Sequence, residues 1–294
     1  MARHKTEYQI KMTMKNNRDG RPDLQTDRHN VLMKAVGVLQ DNHGYSKHWK
    51  IQNFSNKEVI RIVSFYKNEG NSPETIANKL VHLRWLGSKV GANDISSNNS
   101  DYDIRKEVVY SDKSVHLSKG DISHLDERMQ LIFESKYVFG LREEESLKIR
   151  PGIDIKHDRI ELKITKGNRP RTVPIVSQEQ RDLANRIQEF HAKNPDDKSM
   201  IPARNSYNAY RHQVQRAAHD MGVKGHGYRH AWAHNRFEEL SGGIKPPLAG
   251  GPAYETLNDE DRSRWNHAAK IINNELGHGE GRHDITATYI GLGS

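Results

Sequence analysis

The chain has 294 residues, with 46 Lys and Arg against 38 Asp and Glu, a formal charge of +8 and no cysteine. Disulfides, thiolate catalysis and cysteine-held zinc are therefore excluded, and the length suits two domains of ordinary size. The positive balance favours a polyanionic partner, nucleic acid before an anionic membrane. Residues 1–21 are charged throughout and lack an apolar core of signal-peptide length, and no apolar run is long enough to span a bilayer. A soluble, cytoplasmic protein is expected, with no membrane partner.

Taken in order, the first periodic helix is expected from about Thr26 to Leu39, with Val31, Leu32, Ala35, Val36 and Leu39 on one face. A second begins at Ser55, where Ser55 and Glu58 form a capping-box pattern, and ends at Gly70. The third opens on Ser72 and Pro73, turns Ile76, Leu80, Leu83 and Leu86 inward, and runs out by Gly91. Its other faces carry Lys79, His82, Arg84 and Lys89. Residues 92–102 are rich in Asn, Ser and Asp, which places a boundary near them. Residues 1–105 are read as a helical domain, 106–117 as a linker and 118–294 as the second domain.

Past the boundary, helices are expected over Ser123–Phe139 and Arg142–Ile149. The period then falls to two: Ile160, Leu162 and Ile164 alternate with Glu161, Lys163 and Thr165, and a second run follows at Thr172–Val176. That is a β-hairpin with Lys166 near its tip. A second capping box, Ser177 and Gln180, starts a helix reaching about His191, and further helices are expected near 206–221, 228–240 and 259–276. The fold class is mainly α with a small β-sheet (α+β).

Four stretches of the second half supply one chemistry. They are Gly140-Leu141-Arg142 with Glu145, the hairpin Lys166, His226-Gly227-Tyr228-Arg229-His230, and Leu276-Gly277-His278 followed by Tyr289 eleven residues later. Metal-free phosphoryl transfer needs fixed positive charge on the non-bridging oxygens, and guanidiniums supply it with two-pronged geometry. It also needs a nucleophile, a proton for the departing oxygen and donors to the phosphate. Arg142, Arg229, Lys166, His226, His278 and Tyr289 fill each role, while Glu145 and His230 read as supports. No cofactor and no metal are expected.

The order of these motifs resembles the tyrosine recombinase (phage integrase) family across residues 118–294. Its Gly-Leu-Arg-x-x-Glu stretch is matched by Gly140–Glu145, and its hairpin lysine and Arg-x-Val-Pro run by Lys166 and Arg171–Pro174. Its His-x-x-Arg-His, Leu-Gly-His and terminal tyrosine are matched by His226–His230, Leu276–His278 and Tyr289. Residues 241–265 read as an insertion relative to the family, and only Ile290–Ser294 follow the tyrosine. The resemblance implies a tyrosine-recombinase catalytic domain and, in residues 1–105, a helical core-binding domain, with Lys79, Arg84 and Lys89 as DNA contacts. It implies a site-specific recombinase or integrase of a mobile element, acting on double-stranded DNA through a 3′-phosphotyrosine, without ATP or metal. A homotetramer on synapsed DNA, a monomer when free and a place on the nucleoid of a bacterial host follow from the same likeness. Two rivals remain: a metal-dependent nuclease using His226, His230 and His234, at intervals of four, with His278, His283 and Asp284, and a DNA-binding protein without catalysis.

Overall fold

The computed structural model describes residues 5–105, 109–163, 170–224, 226–278 and 282–291, without the side chains of 283 and 285. The chain divides into two compact units, Met1–Val108 and Val109–Ser294. As expected, the architecture is mainly helical with a two-stranded sheet. Among the described residues no helix is long and apolar enough to cross a membrane.

The first unit contains α1 (Lys5–Asn16), α2 (Pro22–His43), α3 (Asn56–Asn68) and α4 (Pro73–Val90). Within the charged amino-terminal stretch, residues Lys5–Asn16 form α1. This helix buries Ile10 completely, and its Thr6 hydroxyl donates to the Trp49 carbonyl at 2.6 Å. One buried apolar anchor, Ile10, and polar contacts of Thr6 and Gln9 with residues 47–51 dock a segment whose composition resembles a solvated arm. α2 is longer than its periodicity indicated: Pro22 starts it and Gly44, at φ 67°, ends it by donating to Leu39. α3 starts at its capping box, where the Ser55 N–H donates to Glu58 at 2.8 Å. α4 starts at Ser72, whose hydroxyl accepts from the Thr75 N–H. Leu32, Ile62, Tyr66, Leu80 and Leu83 fill the core between these helices. His82, expected on an outer face, is instead buried, with Nε2 3.0 Å from Asp27. A carboxylate on α2 within hydrogen-bond reach is what lets a histidine sit there.

The second unit opens with α5 (Lys119–Ile122), α6 (Glu127–Val138), α7 (Glu143–Lys148) and α8 (Pro151–Asp154). Antiparallel strands β1 (Arg159–Leu162) and β2 (Arg171–Pro174) pair Ile160 with Val173 and Leu162 with Arg171. Then follow α9 (Gln178–Ala192), α10 (Tyr207–Asp220), α11 (Gly227–Leu240), α12 (Asp259–Glu275) and α13 (His283–Ile290). α6 starts four residues later than expected because Asp126 caps it, accepting from the Met129 N–H at 2.8 Å. The Val115 N–H donates to the Gly227 carbonyl, so residues 109–117, read as linker, belong to this unit. One core lies among α6, the strands, α9 and α10, and a smaller one joins α11, α12 and α13. In the expected insertion, short 3-10 turns form at Pro247–Ala249 and Tyr254–Thr256, and the first lies against Gly291 beyond α13.

Candidate active site

The site is built where the carboxyl end of α12 meets the amino end of α7 and the first two turns of α11. Past α12, Gly277 takes the left-handed conformation (φ 69°), and a Cβ there would meet Arg171 Cδ at 2.6 Å. The last carbonyls of a helix lack partners within it and carry partial negative charge. Three guanidiniums satisfy them here. Arg142 and Arg229 donate to the Leu276 carbonyl at 2.8 and 2.6 Å, and Arg171 donates to that of Glu275. Gly140, also left-handed (φ 60°), lies under the Trp232 ring and offers its carbonyl to Arg229.

Glu145, in the first turn of α7 and 1% exposed, holds the cluster together. It accepts from the Arg142 backbone at 2.8 Å, from Arg142 Nη1 at 2.7 Å and from Arg171 Nη2 at 2.6 Å, with Arg229 Nη1 at 3.9 Å. Burial pushes its carboxyl up, but Arg171, Arg229 and Arg142 outweigh that and hold it at about 2. Arg229 is itself lowered to about 10, by burial first and then by Arg171. Among the described residues, three guanidiniums against one carboxylate leave two positive charges in excess within a largely buried cluster. Such an excess is unfavourable in a poorly solvated setting until an anion completes it.

Tyr289, 7% exposed on α13, brings its hydroxyl to this cluster, where it accepts from Arg229 Nε at 3.2 Å. The His230 ring lies 4.5 Å and the His278 ring 5.7 Å from the phenol, centroid to centroid. Burial, then the neighbouring arginines, depress His278 to about 3. Burial, then His234 and Lys113, depress His230 to about 4. Both rings are neutral at pH 7, and His230 Nδ1 and His278 Nε2 are buried with no hydrogen-bond partner among the described residues. α13 is fixed by Thr286, whose hydroxyl donates to Asn273 Oδ1 on α12 at 3.0 Å.

Arg142, Arg229, His278 and Tyr289 thus lie in one cluster, and His226 stands exposed at the amino-terminal cap of α11, one turn from Arg229 and His230. Lys166 lies outside the described residues. Lys79, Arg84 and Lys89 are in the first unit and make intramolecular contacts. Lys79 donates to Asn71 and lies over the Tyr66 ring, Arg84 donates to Ser96 and Asn99, and Lys89 is 3.7 Å from Asp19. The histidine triplet does not converge: His230 packs on the Tyr289 ring while His234 contacts the Tyr289 carbonyl. Among the described residues no group of three or more His, Asp or Glu is arranged to hold a metal ion. Arg171 was noted in the sequence only as part of a motif. Its signal was its phase: it shares the inward face of β2 with Val173, where an arginine needs a buried anion.

Residues 110–239, within the second unit, match the phage integrase family. Lambda integrase (residues 75–356), solved as a dimer bound to a COC′ core site, is 14% identical with a TM-score of 0.59, over 96% of this chain and 93% of that one. XerH site-specific recombinase bound to palindromic difH is 17% identical with a TM-score of 0.57, over 96% and 80%. The Tn1549 transposon integrase with transposon right-end DNA is 12% identical with a TM-score of 0.55, over 97% and 94%. At these identities the likeness establishes the fold. No curated protein matches the sequence.

Proposed function

We propose that the chain cuts and rejoins double-stranded DNA by attack of Tyr289 on a phosphodiester, in the integration or excision of a mobile element. The carrying observation is the Tyr289 hydroxyl resting on Arg229 beside a cluster that, among the described residues, holds two unbalanced positive charges. A phosphodiester entering that cluster supplies the missing anion. In the pentacoordinate transition state the charge on its non-bridging oxygens grows, and the arginines stabilise it most there. The Tyr289 oxygen–phosphorus bond forms as the bond to the 5′-oxygen breaks, giving a 3′-phosphotyrosine and a free 5′-hydroxyl. Lys166 supplies the proton to that 5′-oxygen, and a neutral histidine, His278 or His230, takes the phenol proton. The reverse step, with a 5′-hydroxyl from another duplex, reseals the strand, so the bond energy is retained without ATP. In this reading His226 donates to the phosphate, and the first unit binds the duplex through basic groups including Lys79, Arg84 and Lys89. The DNA complexes among the similar structures support duplex DNA as substrate and assembly on it, with four protomers at two sites during recombination.

The test uses a nicked duplex carrying the site that the wild-type protein selects from a random pool. The protein becomes covalently attached to a DNA 3′ end, and Tyr289→Phe abolishes the adduct while DNA binding persists. An adduct that forms equally in the Phe variant places the nucleophile elsewhere.

A further inference from the structure

His234 has no part in the arginine cluster, yet it is 4% exposed and its Nε2 lies 2.7 Å from the Tyr289 carbonyl oxygen. A carbonyl only accepts, so Nε2 carries the proton in this contact. The carbonyl belongs to the last turn of α13, where helices leave acceptors unfilled, and no backbone N–H among the described residues donates to it. On the other side of the ring, Asp112 lies 4.0 Å from Nδ1, its carboxylate accepting from the Ser114 N–H at 2.7 Å. Burial keeps the ring's pKa below the ordinary histidine value despite the carbonyl and Asp112, in keeping with a neutral ring protonated on Nε2.

Arg229 and His234 both belong to α11, and both contact Tyr289: one takes its hydroxyl, the other its backbone carbonyl. One helix therefore grips the two ends of a single residue. Rotation of α13 about its axis, or a slide along it, moves both ends together and breaks one contact or the other. We propose that His234 is a positioning residue for the nucleophile, donating Nε2–H to the Tyr289 carbonyl and so holding α13 at the rotation that keeps the phenol on Arg229. The proposal rests on Tyr289 being the attacking group. It also gives the third histidine of the α11 series a role unrelated to metal.

The experiment measures single-turnover cleavage by the full chain on the nicked duplex above, alongside DNA affinity and urea unfolding. His234→Leu removes the donor, and cleavage is expected to slow by about ten- to a hundredfold, the scale of a misplacement near 1 Å. DNA affinity stays unchanged, because the contact is internal. His234→Gln, which carries an N–H donor at similar reach, restores most of the rate. A 5′-bridging phosphorothiolate, whose leaving group needs no proton, leaves the His234→Leu defect in place, since attack rather than departure is impaired. The proposal is overturned if His234→Leu cleaves at the wild-type rate, or if His234→Gln is as slow as His234→Leu at equal folded fraction. A wild-type chain that forms no adduct, or a Tyr289→Phe chain that does, overturns instead the reading on which it rests.

Discussion

Glu145 is one negative charge shared by three guanidiniums, and its ionisation has consequences in two directions. Its folded pKa of about 2 lies below the ordinary carboxyl value of 4.5, so the folded state favours the ionised form. The stabilisation is fully present above the unfolded value and is lost as pH falls from about 4.5 through about 2. The shift corresponds to about 3 kcal/mol at neutral pH. His230 and His278 add to the acid sensitivity. Their folded pKa values of about 4 and 3 lie below 6.5, so the unfolded chain takes up protons first and stability falls from pH 6.5 downward. Glu145→Gln is expected to cost about 3–5 kcal/mol, because it leaves three guanidiniums, two of them buried, without their anion. Urea titrations from pH 7 to 3 should show that the variant keeps the histidine limb but loses the part below about 4.5. An unchanged acid limb would mean that Glu145 does not hold the cluster in solution.

At the scale of elements, two left-handed glycines place the helix ends that form the site. At Gly140 a Cβ would meet Trp232 Cδ2 at 2.5 Å, within an already left-handed turn. Gly140→Ala therefore meets both a backbone penalty of about 1–2 kcal/mol and an overpacking cost of about 1–3 kcal/mol. Gly152 is a matched control, since its nearest neighbour would be His191 at 4.0 Å with no left-handed backbone. Thermal and urea unfolding of Gly140→Ala and Gly152→Ala should separate them by about 2–5 kcal/mol. Cleavage should fall only in the first, because the Gly140 carbonyl is a ligand of Arg229. Equal behaviour of the two variants would remove the turn from the account. The antiparallel pair of β1 and β2 was legible because alternation is a local signal. The docking of α1 was not, since it depends on Trp49 and Ile51, which contact Thr6 and Gln9 only once the chain has folded.

For the whole molecule, the number of phosphates its basic groups neutralise sets how DNA binding responds to salt. If about 6–10 phosphates are neutralised, DNA affinity should drop by about 10³–10⁵ between 50 and 200 mM salt. Cleavage and joining should continue in excess EDTA, because the charges that face the phosphate come from arginines. Activity lost on chelation and restored by a divalent ion would return the argument to the histidines of α11.

The sequence by itself carried the likeness to the phage integrase family, whose match covers residues 110–239. Five short motifs in order, helical and strand periodicities, and caps such as Ser55 with Glu58 are local or ordered along one dimension, and those can be read directly. It also marked Arg142, Arg229, His278 and Tyr289, which the fold brings into one cluster. Only the tertiary structure decided that Arg171 is the third guanidinium on Glu145 and that helix-end carbonyls of α12 anchor the arginines. It alone turned His234 from a candidate metal ligand into a donor to the Tyr289 backbone. These are contacts between residues 26 to 134 positions apart. Their partners are backbone carbonyls or a shared carboxylate, and such acceptors leave no residue-specific mark on the sequence around the group they bind.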